Sequence, residues 1–123
     1  MSQEFYKILH LGALFFVFAS LGGMVLARKA GGTLPDPVRK LASITHGIAI
    51  LVVLVAGFGL LKFIGLSNPA VWPGWVWAKL AIWLFFGAAL VLVRKKPSLF
   101  NLFWVGFPLL GVVAAWLAFA KPF

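Results

Sequence analysis

Apolar residues fill four long blocks of this chain, and only short clusters of charge, proline and glycine separate them. The blocks run from about Phe5 to Ala27, Leu41 to Phe63, Gly74 to Val93 and Leu99 to Ala120. About 20 to 24 residues of helix measure roughly 30 to 36 Å, enough to cross a hydrocarbon core with modest tilt. Arg28, Lys29 and the Gly31–Gly32 pair end the first block. Asn68 and Pro69 mark a turn after the second, and Arg94, Lys95 and Lys96 close the third. Within the first connector, Asp36 is the expected N-cap of the second helix, with Pro37 at its first helical position. That helix then passes Arg39 and Lys40 at headgroup level before entering hydrocarbon near Leu41. Pro108, midway through the fourth block, predicts a kink.

Connectors this short make consecutive helices antiparallel neighbours. The expected fold is all-α: a polytopic integral membrane protein with four transmembrane helices in an up-down-up-down bundle. It forms one transmembrane domain over residues 1–123, with spans at about 5–27, 41–63, 74–93 and 99–120. No internal repeat and no low-complexity segment is evident.

Composition narrows the function. The 123 residues are 63% hydrophobic and 11% charged, so the lipid bilayer is the solvent and partner of most of the surface. Little chain remains for an extramembrane domain, and a substrate or cofactor must sit among the helices or at their ends. There is no cysteine, which removes thiolate metal sites, iron–sulfur ligation and disulfides. The first block is followed by three more and lacks a small-residue cleavage site, which argues against a removed signal peptide.

Eleven Lys and Arg against two acids give a formal charge of +9. In a soluble chain this would raise nucleic acid as a partner. Here the charges flank spans and read as topology signals, so no nucleic acid is expected. Arg28, Lys29, Arg39, Lys40, Arg94, Lys95 and Lys96 belong to the first and third connectors, whereas the central loop from Ser67 to Trp72 is uncharged. The first and third connectors should therefore be cytoplasmic and both termini outside. Trp72, Trp75 and Trp77 are expected to cluster at the outer interface.

Three ionisable residues fall well inside the blocks: His10, His46 and Lys79. Such groups are costly at membrane depth and tend to face a bundle interior. Counting from the span ends puts His10 and Lys79 at one level, each about 8 Å from the outer side. His46 enters from the cytoplasmic side, about 15 Å away along the membrane normal. That offset rules out the two histidines as axial ligands of one haem, whose ligating nitrogens lie within about 4 Å of each other.

His10 paired with Lys79 survives the height test, Lys79 acting either as a neutral second ligand or as a charged partner for a carboxylate or propionate. Plainer readings stand beside these. Lys79 can snorkel to the outer headgroups. His10 can bond a neighbouring helix, and His46 can belong to a polar helix start with Ser43 and Thr45. The small residues Gly12, Ala13, Ala19, Gly22, Gly23, Gly57 and Gly59 are expected to permit close helix packing. The only carboxylates, Glu4 and Asp36, lie near opposite faces and cannot act together in acid–base chemistry. No phosphate loop, nucleophile elbow or intramembrane acid for ion coupling is present.

Three segments resemble a known group. Tyr6-Lys7-Ile8-Leu9-His10, Thr45-His46-Gly47 and Gly74-Trp75-Val76-Trp77-Ala78-Lys79-Leu80 resemble the SirB family of small bacterial inner-membrane proteins. The first and third segments also resemble HemJ-type protoporphyrinogen oxidases, a related group of four-helix membrane proteins. This chain is shorter than a typical HemJ protein, and His46 fits the SirB pattern better. The HemJ resemblance implies haem b at a first-span histidine and the lysine of a Trp-x-x-Ala-Lys-Leu motif, here His10 and Lys79. The expected site therefore has His10 on the haem iron, Lys79 as second ligand or propionate partner, and His46 as an accessory group. The resemblance implies membrane redox chemistry or electron transfer in a bacterial inner membrane. The rival expectation is a non-catalytic subunit or assembly factor of a larger membrane complex, or a homo-oligomer.

Overall fold

The computed structural model describes residues 2–31 and 34–123, and it is entirely helical. Gly32, expected with Gly31 to end the first helix, lies outside the described residues. Four long helices follow one another: α1 (Gln3–Lys29), α2 (Asp36–Phe63), α3 (Gly74–Lys95) and α4 (Phe100–Ala120). Short 3-10 turns at Pro69–Val71 and Pro97–Leu99 precede α3 and α4. All four helices are long and apolar enough to cross a membrane.

Local sequence explains where the helices start and stop. The Ser2 hydroxyl accepts the Phe5 amide and caps α1. At the far end of α2, Gly65 adopts φ +77°, and the Leu66 amide reaches back to the Leu61 carbonyl. Glycine takes this left-handed position without a Cβ clash. The start of α2 differs from expectation. Pro35 is the N-cap, Asp36 is already helical, and no side chain caps the end. The Asp36 carboxylate instead takes the Arg39 guanidinium one turn on, in an exposed ion pair. Two flanking prolines fix the backbone here, so the carboxylate is not needed as a cap.

The helices surround a core of Val17, Leu21, Met24 and Val25 from α1, Val53 from α2, Phe86, Ala89 and Val93 from α3, and Phe103 and Phe107 from α4. Contacts across the bundle fix its register. Tyr6 lies against Gly59, Trp83 bonds Ile50, and the Phe18 ring covers Gly111. α1 and α2 are the most closely apposed pair. A Cβ built on Gly59 would fall 2.6 Å from the Tyr6 ring, so glycine is required for that approach.

The other small residues divide. Ala13 is buried, but Ala19 is exposed, and nothing lies within 4 Å of a Cβ added at Gly12 or Gly23. These three do not tighten helix contacts as the sequence suggested. The three tryptophans around the start of α3, Trp72, Trp75 and Trp77, differ in burial. Trp72 and Trp77 lie 5.1 Å apart near the surface, whereas Trp75 is buried against Val76 and Leu117. Its face meets the Lys121 ammonium at 5.6 Å, and its amide donates to the Phe123 carbonyl.

Candidate functional site

His10 sits on the face of α1 that meets α2. Its Nδ1 lies 2.9 Å from the Val53 carbonyl. A carbonyl only accepts, so Nδ1 is the donor, and in the neutral ring Nε2 keeps the lone pair. Val53 O already receives the helical bond one turn on, at Gly57, and its second lone pair serves the imidazole. Gly57 lies under the ring: an added Cβ would stand in van der Waals contact with His10 Cε1, at 3.4 Å.

His46 makes the equivalent bond on the other side of α2. It is 4% exposed, and its Nε2 donates to the Phe86 carbonyl at 2.9 Å. The Trp83 indole returns a bond from α3 to the Ile50 carbonyl of α2, also 2.9 Å. His46 and Trp83 therefore form a two-rung link between α2 and α3. The plain reading of His46 as part of a polar helix start is replaced by a buried inter-helix tie.

Lys79 is half-buried on α3 and makes no hydrogen bond or ion pair among the described residues, whose one ion pair joins Arg39 and Asp36. It lies within Coulombic reach of both His10 and Lys121. The inter-helix bonds give the heights. His10 stands beside α2 between Val53 and Gly57, and the Ile50–Trp83 and His46–Phe86 pairs carry that level to α3 within about one turn of Lys79. His46 lies opposite the Ala19 region of α1, roughly 14 Å further down the bundle. The structure thus brings His10 and Lys79 near each other and leaves His46 in a separate layer.

The donor chemistry suits a tetrapyrrole in two respects. An imidazole whose Nδ1–H is held by a backbone carbonyl has the tautomer and fixed orientation that metal-bound histidines adopt. A half-buried ammonium without a carboxylate partner suits an anionic ring substituent. Space is a separate matter, since two clefts in the bundle lie elsewhere. One, of about 430 Å³, runs beside Tyr6, Phe58, Gly59, Lys62 and Trp72, at the end of the bundle where α2 stops and α3 begins. The other, of about 490 Å³, runs between α1 and α4. Neither is lined by His10, His46 or Lys79.

The inter-helix carbonyl acceptors, Val53 and Phe86, were missed in the sequence, because backbone acceptors leave no side-chain signal. Gly57 was singled out only as a packing residue, although its spacing from Val53 is the one trace of the His10 bond. Comparison with protein-family models, with curated proteins and with solved structures returns no match.

Proposed function

We propose that this chain is a small multi-pass protein of a bacterial inner membrane that holds a haem b or related tetrapyrrole between α1 and α3, for membrane redox chemistry or electron transfer. The single observation that carries the reading is the His10 Nδ1–Val53 carbonyl bond, which fixes the ring and makes Nε2 the nitrogen free for a ligand. His10 Nε2 would hold the haem iron. Lys79, at matching height and without a carboxylate partner, would hold a propionate. His46 would act at a distance, by fixing α2 against α3. The haem would supply a one-electron couple, while the protein's share would be to hold the iron through His10 and neutralise a propionate through Lys79. The distribution of basic residues supports cytoplasmic first and third connectors with both termini outside.

An absorption spectrum of protein purified in mild detergent tests this. A Soret band is expected, abolished in His10→Ala and retained but weakened in Lys79→Gln. A colourless wild-type preparation that stays colourless after haem addition would overturn it.

A second reading has its own support. Neither cleft reaches the His10–Lys79 pair, and α4 turns more of its surface outward than any other helix. A non-catalytic subunit or assembly factor would use such a face against partner helices. Stoichiometric co-purification of the colourless chain with another membrane protein favours this reading.

A further inference from the structure

The cleft between α1 and α4 lies in the half of the bundle away from His10 and Lys79. Its walls include Phe18, Gly22 and Gly23 of α1 and Trp104, Phe107 and Pro108 of α4. The two glycines explain its depth on one side. Gly23 is exposed, with nothing within 4 Å of an added Cβ, and only the Trp104 ring approaches Gly22, at 3.8 Å. Towards the middle of the bundle the groove ends at the Phe18 ring, which lies so close to Gly111 that a Cβ there would be 2.6 Å away.

The other end is polar. Lys29 is one turn beyond Leu26 on the same face of α1, and Asn101 is one turn before Trp104 on α4. The Lys29 ammonium donates to Asn101 Oδ1 at 2.8 Å across the mouth of the groove. Beside it, Arg28 donates through one terminal nitrogen to the Arg94 carbonyl. The Arg28 Nε–H is sealed from solvent and has no partner among the described residues. Lys95 ends α3 and Lys96 follows it; of the two acids, Glu4 begins α1 at the far end of the bundle, and Asp36, which begins α2 at this end, is paired with Arg39.

From Phe18 to Lys29 the groove runs about 16 Å, close to the thickness of one hydrocarbon leaflet. An apolar slot one leaflet deep, opening onto three or four cations at headgroup height, matches an acyl chain with an anionic head. We infer that the α1–α4 groove is a binding site for an anionic glycerophospholipid of the leaflet next to the first and third connectors. One acyl chain lies over Gly22 and Gly23, and the phosphate meets Lys29 with the Lys95–Lys96 pair. Basic pockets between helices at a membrane surface bind such heads, each cation adding about fivefold to affinity. The site shares no residue with the proposed tetrapyrrole pair and stands whether or not haem binds.

Native mass spectrometry of the delipidated full chain, titrated with phosphatidylglycerol or phosphatidylcholine of identical acyl chains, tests the inference. Phosphatidylglycerol should be retained preferentially. Lys29→Gln should cut that preference about fivefold, whereas Lys62→Gln, at the opposite end of the bundle, should leave it unchanged. Gly23→Leu, at an exposed position, should fill the slot and reduce retention of both lipids, with Ala19→Leu as a second filling variant. Variants are compared at equal helicity by circular dichroism. Three outcomes would overturn the proposal. The first is equal retention of the two lipids, and the second is a loss of preference spread equally over Lys29 and Lys62, meaning net charge alone. The third is a dimer that Gly23→Leu dissociates, meaning that a second copy fills the groove.

Discussion

At the scale of single residues, glycine and histidine are coupled in this bundle. The His10 ring that bonds a main-chain carbonyl of α2 lies over position 57, where an added Cβ would already touch it and a branched side chain would collide with it. Gly57→Val should therefore mimic His10→Ala in absorption spectroscopy while leaving the imidazole in place, with the Soret band lost or shifted in both. Gly59 is a more severe case. Its added Cβ would fall 2.6 Å from two Tyr6 ring atoms and 2.9 Å from a third, so the whole ring must move. Gly59→Ala should cost about 1–3 kcal/mol, measured by reversible unfolding in mixed micelles. The Phe variant Tyr6→Phe keeps the ring and should be near neutral in the same assay.

At the scale of elements, the limits of the helices were legible because charge, proline and glycine interrupt hydropathy at each end. Their orientations about their own axes were not. In a soluble helix the apolar stripe identifies the buried face. Here lipid and core are both apolar, so Trp75 and Trp77 look alike in sequence, although one is buried at 7% exposure and the other stands 52% exposed. The same degeneracy hid the outward direction of Gly12 and Gly23. The height of His10 against Lys79 was legible, because rise per residue is fixed; their facing partners were not.

The α2 start was misread by one residue, since Pro35-Asp36-Pro37 allows either capping scheme. The two schemes differ in energy. A side-chain cap lost to alanine costs about 1 kcal/mol or more, whereas the exposed Asp36–Arg39 pair contributes less than that. Asp36→Ala should lower unfolding free energy by under about 1 kcal/mol, and Arg39→Ala by a similar amount if the pair is the sole contribution.

For the molecule as a whole, the absence of cysteine makes orientation directly measurable. A cysteine placed at Ser67, between α2 and α3, and another at Ser98, between α3 and α4, occupy exposed positions at opposite ends of the bundle. In intact cells a membrane-impermeant maleimide should label Ser67→Cys and spare Ser98→Cys until the cells are permeabilised. The reverse pattern would invert the topology read from the basic connectors. Either result leaves the bundle unchanged, because its register is set by contacts within the chain.

Those contacts share a property with evolutionary weight. Three ties between helices, from His10, His46 and Trp83, all end on main-chain oxygens, at Val53, Phe86 and Ile50. A carbonyl is the same whichever residue supplies it. The donor positions are therefore chemically constrained, whereas the acceptor positions answer only to size and greasiness. Saturation mutagenesis scored for folded protein should show this as an asymmetry: few tolerated replacements at 10, 46 and 83, and free exchange among aliphatic residues at 50 and 53. Sequences could drift far on one side of each tie while its geometry endured.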